Sequence, residues 1–341
     1  MKSILITGGA GFIGSNFIPF FLQKHPQYHI VNLDMLTYAG NIENLHEVEN
    51  HPRYTWIEEN ICNRKIVEFI FSKYNIQGVI HFAAESHVDN SINNPSIFIE
   101  TNINGTFTLL DVAYKYWMDT PFQYKKKYSG TSLPRFHHIS TDEVYGSLDD
   151  DSLFTEKTPY APNSPYSASK AASDMLVRSY NHTYGLNTVI TNCSNNYGPK
   201  QHDEKLIPTI IRKALTGESI PIYGDGTNIR DWLYVLDHCK GIDLVFHQEE
   251  SGNTYNIGGN NEKNNNTIAH IICEILDTIQ PRKDQLSYQD QIIYVTDRAG
   301  HDKRYAIDAS KIENDLGWYA KENFKSGINK TIKWYMEKYF G

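Results

Sequence analysis

Apolar and polar positions along the first half of the chain fall into blocks that switch between two periods. Short apolar runs bounded by glycine or acidic residues predict buried strands. The longer segments between them, with apolar residues three and four apart, predict amphipathic helices. The series opens with a strand at Ile4-Leu5-Ile6, a helix over 12–24, a second strand HIVNLD at 29–34 and a third, TWIEENI, at 55–61. A helix over 65–74, a strand GVIHFAA at 78–84 and a long helix over 97–116 follow. A fifth strand in RFHHIS at 135–140, a helix over 166–184 and a sixth strand beginning at Asn187 complete it. This βαβ rhythm predicts an α/β fold, a Rossmann-type doubly wound parallel sheet with a smaller mixed α/β substrate domain. Ligands in such sheets bind beyond the carboxyl ends of the strands.

After Tyr197 the rhythm loosens. Pro199, Pro208 and Pro221 interrupt it, and GDGTN at 224–228 reads as a turn. Helices are predicted at 205–217, 235–249, 265–280 and 322–339. The expected division is 1–197, mainly the sheet domain, and 198–341, mainly the substrate domain, with segments of the latter interleaved back into the sheet. Residues 117–135 are polar and turn-rich and read as a surface insertion.

Composition narrows the functional classes. The chain has 341 residues, 40% of them apolar and 21% charged, as in a globular protein with a sizeable core. Its net charge of −8, with no basic block longer than Lys125–Lys127, argues against nucleic acid as a partner. Cys62, Cys193, Cys239 and Cys273 are scattered without metal-ligand spacing, and no HExxH occurs. The expectation is no metal, reduced thiols and a cytoplasmic location. No leader-like segment and no bilayer-spanning apolar run is read, so no membrane partner is expected.

Candidate chemistry begins at GGAGFIG. Gly8, Gly11 and Gly14 follow the first strand directly, and Phe12 and Ile13 begin the next helix. Glycine there permits a tight turn and close approach to a pyrophosphate, which the helix N-terminus then faces. Asp34 ends the second strand, where a carboxylate can accept hydrogen bonds from an adenosine ribose and repel a 2′-phosphate, favouring NAD over NADP. Asn60 and Ile61 are expected at an adenine edge. Ala83 and Ala84, ending the fourth strand, are small enough for the cofactor to approach.

Tyr166 and Lys170 stand four apart at the start of a helix and share one face. Such a pair can oxidise an alcohol: the lysine lowers the phenol pKa and binds a ribose, and the phenol takes the hydroxyl proton. The stretch FHHISTDEVYG, residues 136–146, adds Thr141, a candidate contact to the same substrate oxygen, and then Asp142 and Glu143. Two adjacent acids can form a solvated turn. They can also supply an acid and a base for eliminating water next to a temporary ketone. Epimerisation, reduction and dehydration remain open at this point.

The segments ITGGAGFIGSN, HFAAESHVDNSI, HHISTDEVYG, SPYSASKAASD, NCSNNYGP, IYGDGTNIRDWLYVLDH and AGHDKRYAID resemble the dTDP-glucose 4,6-dehydratases. These form a family within the extended short-chain dehydrogenase/reductase group, and the likeness runs over nearly the whole chain. GxxGxxG and YxxxK are common to that group, whereas the Thr-Asp-Glu triplet is specific to the dehydratases. The resemblance implies that Thr141 binds the oxygen on carbon 4 and that Asp142 protonates the departing hydroxyl. It makes Glu143 the base at carbon 5 and Tyr166 the oxidation base assisted by Lys170. Tightly bound NAD is implied, regenerated in each turnover, in deoxysugar and commonly rhamnose precursor synthesis.

The resemblance also implies that Ser86 and Thr101 line the cofactor and sugar region and that Asn196 lies near the nicotinamide. Asn195 would hold the substrate pyrophosphate side. Lys205, Leu206, Pro221 and Tyr223 would line the nucleotide end, with Arg230, Asn265 and the loop bearing Arg298 and His301 at the phosphates. Arg230 has an alternative reading as a surface pair with Asp231. A homodimer through helices 97–116 and 166–184 is implied. Departures from the family pattern are Met35 after the ribose-binding acid, Glu59-Asn60-Ile61 in place of Gly-Asp-Ile, and Ala299 where proline is common. UDP-glucose as substrate, a nucleotide-sugar 4-epimerase, and a non-catalytic NAD-binding protein are the competing readings.

Overall fold

A computed structural model of the protein describes residues 1–128, 132–148, 151–297 and 300–340. Seven parallel strands form the main sheet, in the order Thr254–Ile257, Thr188–Cys193, Arg135–Thr141, Ile76–His81, Lys2–Thr7, Tyr28–Asp34 and Tyr54–Glu58. The inner strands are largely buried because helices cover both faces of the sheet, whereas the edge strand Tyr54–Glu58 is mostly half-exposed. Ile4, Ile6, Ile30 and Ile80 pack with helices Phe12–Lys24 and Val235–Gln248. Leu5, Val31, Val79 and Phe136 face helices Arg64–Tyr74, Thr106–Trp117 and Pro165–Tyr184.

A second core gathers Tyr197, Ile207, Ile211, Trp232, Ile268, Ile272, Phe324 and Ile328. It lies among helices Leu206–Thr216, Asn265–Ile279 and Phe324–Phe340. Two short sheets accompany it. One pairs Ile220–Tyr223 with Ile292–Val295, and the other surrounds Ile229–Tyr234 with Asn195–Tyr197, Glu262–Asn264 and Arg304–Tyr305. The chain therefore leaves the main sheet after Cys193 and returns to it at Thr254–Ile257. No helix among the described residues is long and apolar enough to cross a membrane.

Three expected elements end or continue differently. The strand expected over 55–61 stops at Glu58, and the one expected over 78–84 stops at His81. Asn60, Ile61, Ala83 and Ala84 thus lie in the turns beyond the strands. The helix expected over 97–116 is broken into Pro95–Phe98, a π-helical segment Ile99–Gly105 and Thr106–Trp117. At the break, the Asn102 carbonyl accepts from the Thr106 hydroxyl at 2.6 Å and from the Ser173 hydroxyl at 2.6 Å. Side chains inserted into the ladder in this way widen the turn.

Away from the strand ends, buried Asp243 accepts from Lys24 at 2.7 Å and contacts His25 at 2.7 Å and His247 at 3.0 Å, tying the ends of two helices together. Burial alone would raise its pKa, but hydrogen bonds from His247 and Lys24 outweigh that and hold it at about 2. A depressed carboxylate stabilises the fold above its unfolded value, and that stability is lost as pH falls through the folded value. Asp243→Asn is expected to lose about 1–2 kcal/mol at neutral pH, after screening at exposed Lys24. In urea titrations the gap from the parent should close between about pH 4 and about pH 2; a pH-independent gap contradicts this account.

Candidate active site

The carboxyl ends of the main-sheet strands open into a cavity of about 310 Å³. Its floor is the turn after Lys2–Thr7. Gly8 has φ +72°, and a Cβ there would stand 2.5 Å from the Ala83 nitrogen; at Gly14 it would stand 2.4 Å from the Gly8 carbonyl oxygen. No side chain fits at either place, so backbone lines the floor. The helix beginning at Phe12 has Gly11 as its N-cap without a side-chain cap, leaving its first N–H groups directed to the cavity mouth. Asp34 accepts from Ala10 N–H and from Leu36 N–H, each at 2.9 Å, and burial raises its pKa. A glycine floor, an uncapped helix start and a carboxylate at the second strand end fit a dinucleotide.

Gly11, Phe12, Ile13, Asn60, Ile61, Ala83, Ala84, Ser86, Thr101 and Asn196 line the same cavity. The Asn60 side-chain oxygen accepts from Cys62 N–H at 2.8 Å, so it also shapes its own turn. Exposed Met35 stands at the rim.

The chemical residues meet at the other side. Thr141 ends its strand and caps the following 3₁₀ turn Asp142–Tyr145, accepting from Glu143 N–H at 3.3 Å. The helix carrying Tyr166 starts firmly: Ser164 and Ser167 form a reciprocal capping box, and Pro165 occupies the first turn. Thr141, Asp142, Glu143, Tyr166 and Lys170 all line the cavity.

Their electrostatics differ. Asp142 is 2% exposed and its Oδ2 has no hydrogen-bond partner among the described residues. Burial, then the charges of Glu143 and Asp231, raise its pKa well above the usual carboxylate range, against a smaller opposing effect of Arg230. Both effects favour the protonated acid, the form that can donate a proton. Glu143 is only half-buried. Burial and Glu143 push the Tyr166 phenol up, while Thr141 works in the opposite direction. The sequence-based expectation that Lys170 leaves the phenol with a lowered pKa is thus not met in the protein alone, where desolvation dominates. Lys170 donates to the Ile139 carbonyl at 2.8 Å, and burial draws its own pKa down to about 8.

Asn195 and Lys205 also line the cavity, and Lys205 donates to the Ser86 carbonyl at 3.2 Å. Leu206, Pro221, Tyr223, Arg230, Asn265 and His301 do not line it; the first five lie on the helices and small sheets around the second core, and His301 lies just before the strand Arg304–Tyr305. Arg230 is buried, donating to the carbonyls of Ile229 and Asp302, with its guanidinium 4.3 Å from the Tyr305 ring centre. The reading of Arg230 and Asp231 as a surface pair fails, because Asp231 is buried and accepts from Gly259 and Asn261 N–H groups. His301 pairs with Asp297 at 2.6 Å. Arg298 and Ala299 lie outside the described residues.

Sequence reasoning passed over Thr37, Glu85, Cys193, Gln201 and Glu204, which also line the cavity. They lie in turns or at strand ends, and although Glu85 and Cys193 fall within segments that carry the resemblance, no role was attached to them. It also stopped at Lys170 on the Tyr166 helix, although the same spacing of four leads on to Asp174.

The sheet, the dinucleotide cradle and the Tyr166–Lys170 pair define an enzyme of the short-chain dehydrogenase/reductase class. The family model described as GDP-mannose 4,6 dehydratase matches residues 5–331, and the chain belongs to that family. Over 342 residues it is 53% identical to the dTDP-glucose 4,6-dehydratase of Salmonella typhimurium, with 98% of this chain and 92% of that one covered. The solved dTDP-glucose 4,6-dehydratase of Bacillus anthracis in complex with NAD is 44% identical, with a TM-score of 0.85 over 99% of this chain and 97% of that one. The enzyme of the same name from Streptomyces venezuelae, with NAD and TYD bound, is 42% identical, with a TM-score of 0.88 over 98% and 97%.

The Asp34 placement yields a direct test. Asp34→Ala removes the carboxylate expected to accept from the ribose and to repel a 2′-phosphate. Loss of hydrogen bonds to a charged acceptor is expected to weaken NAD binding about tenfold or more. Discrimination against NADP should fall in parallel. Calorimetric titration of cofactor-stripped protein measures both, and an unchanged NAD affinity would remove Asp34 from the ribose.

Proposed function

We propose that the protein is an NAD-dependent dTDP-glucose 4,6-dehydratase, a hydro-lyase that forms dTDP-4-dehydro-6-deoxy-D-glucose and water. The observation that carries this reading is the pair at the strand end: a buried Asp142 that favours its protonated form, next to a half-buried Glu143, beside Tyr166. Simple oxidation or epimerisation at carbon 4 uses the phenol and has no step for two further acid–base groups. Elimination has one for each.

Bound NAD supplies reversible hydride acceptance, from carbon 4 at the start and back to carbon 6 at the end. The Tyr166 phenol, deprotonated in the loaded site beside the Lys170 ammonium, takes the proton from the hydroxyl on carbon 4. Thr141 donates to that oxygen and keeps it by the phenol. The ketone so formed acidifies carbon 5, and Glu143 removes its proton and returns it to carbon 5 once hydride has reached carbon 6. Asp142 gives its proton to the hydroxyl on carbon 6, which leaves as water. Acid and base are kept apart in protonation by burial rather than by residue type. Asn195, Lys205, Arg230, Asn265 and His301 are assigned to the nucleotide diphosphate, with Leu206, Pro221 and Tyr223 at the base.

A homodimer in the cytoplasm is part of this reading. Ile99, Phe107 and Met175, on the helical segments Ile99–Gly105, Thr106–Trp117 and Pro165–Tyr184, are exposed apolar residues that a second copy would cover. The four cysteines are free, in keeping with a reducing compartment.

Incubation of the purified holoenzyme with dTDP-glucose, and in parallel with UDP-glucose, tests the reaction. Product from dTDP-glucose lighter by one water, without added cofactor, is expected. A galactose-configured product of unchanged mass would overturn the proposal. Glu143→Gln should still oxidise carbon 4 but eliminate at least about 100-fold more slowly, the scale of a lost general base. Reduced-nicotinamide absorbance should then build up on the enzyme. Tyr166→Phe should give no such absorbance. Elimination at the parent rate in Glu143→Gln would remove Glu143 as the base.

A further inference from the structure

Tyr166, Lys170 and Asp174 continue one face of the Pro165–Tyr184 helix at a spacing of four. The first two are assigned above to the oxidation step, and the third has no role in it. Asp174 is 1% exposed, and burying a carboxylate this fully is costly unless hydrogen bonds and nearby charge compensate it. The surroundings are built for that. Its Oδ2 accepts from the Ser140 hydroxyl at 2.8 Å and from the Tyr160 hydroxyl at 3.0 Å. Its Oδ1 lies 3.2 Å from His138 Nε2, which is 3.4 Å from Lys170 Nζ. His138 therefore stands between the buried carboxylate and the buried ammonium.

The network reaches further. Asn192 donates to the Tyr160 hydroxyl at 3.2 Å and to the Tyr145 hydroxyl at 3.0 Å, and Tyr145 donates to Asn256 at 2.9 Å. Asp174 is thus anchored through residues of three neighbouring main-sheet strands. This is more construction than a helix-to-sheet contact needs, and it ends at the one buried lysine of the site.

We infer that Asp174 is a positioning residue for the oxidation step, supplying the counter-charge that keeps Lys170 an ammonium beside Tyr166. The inference rests on the reading of Tyr166 and Lys170 given above. Lys170 is fully desolvated, which favours its neutral amine; the negative charge of Asp174 is the main influence in the opposite direction. Asp174 in turn is raised to about 7 by burial, against Lys170, Ser140 and Tyr160, which favour its ionised form. The two charges sustain each other.

The other titratable groups around the pair do not replace this arrangement. His138 and His81 are held well below the usual histidine value by burial, so both are neutral. Tyr145, Tyr160 and Cys193 are raised by burial and are likewise neutral. Asp142 favours its protonated form, as described above, and Glu143 lies towards Tyr166.

Asp174→Asn keeps the shape and removes the charge. Without it the Lys170 value falls, so the active ammonium form is lost at lower pH. The alkaline limb of the kcat profile on dTDP-glucose should move acidward by about one unit, the usual effect of one opposite charge nearby. KM should change by less than about twofold, since the residue does not touch substrate. Asp174→Glu should recover part of the profile. Tyr160→Phe, which deletes one donor to Asp174 and leaves the carboxylate in place, should shift the limb in the same direction by less.

A second readout does not depend on turnover. Lysine labelled at Cε and Nζ, assigned with Lys170→Arg, gives the Lys170 titration in the holoenzyme by nuclear magnetic resonance. The midpoint should be about one unit lower in Asp174→Asn. Equal midpoints in folded Asp174→Asn and parent would overturn the inference, as would equal midpoints in Tyr160→Phe should Asp174→Asn not fold. Failure of the dehydratase reading appears elsewhere, as absence of water loss from dTDP-glucose by the parent protein.

Discussion

The hydrogen bond from the Lys170 ammonium to the Ile139 carbonyl, 2.8 Å long, joins the two pieces of chain on which the chemistry depends. One piece is the strand end that delivers Thr141, Asp142 and Glu143. The other is the helix that delivers Tyr166. Neither is useful without the other, and residues 146–164 separate them in sequence. A lysine at this place is both a tether and a charge. Because it is buried, its charge is little screened by water, and it stands one helical turn from Tyr166. The capping box at Ser164 and Ser167 fixes where that helix starts, and hence where Tyr166 stands.

From that junction the site divides by depth. Asp142 turns into the protein and loses its solvation, which favours its protonated form. Glu143, the next residue, stays half in the cavity. Adjacent residues at a strand end point in different directions, so the two acids differ in burial. The dinucleotide cradle lies across the same sheet edge, because all seven strands run parallel and all of their carboxyl ends open on one side. A sheet of this topology brings cofactor and acid–base groups together without long-range design of individual loops.

Much of this was legible in the sequence. Buried parallel strands leave near-continuous apolar runs, so Ile4-Leu5-Ile6, HIVNLD and RFHHIS announced themselves, and GxxGxxG and YxxxK located the two ends of the site. Strand ends were less legible. Ala83 and Ala84 are apolar and read as strand, whereas they sit in the turn that closes over Gly8. The break in the long helix depends on hydroxyls of Thr106 and Ser173 reaching one carbonyl, a tertiary fact that periodicity does not carry. His138 reads as a strand residue and is one, yet its neighbours across space are Lys170 and Asp174. Asp174 itself followed from the spacing already in use at Tyr166 and Lys170. What hid it is that an acid on a helix usually faces water, and only the packing against Ser140 and Tyr160 says otherwise. The nucleotide-end residues, from Leu206 to His301, were named by resemblance alone, and the cavity at the strand ends does not reach them.

The central claim is that oxidation at carbon 4 and reduction at carbon 6 are two halves of one cycle on one bound cofactor, with elimination between them. dTDP-glucose carrying deuterium on carbon 4 tests it directly, by nuclear magnetic resonance of the product formed by holoenzyme without added NAD. The account predicts a deoxysugar that retains the label on its carbon 6 methyl group. Loss of the label from the product, or its retention on carbon 4, would contradict it.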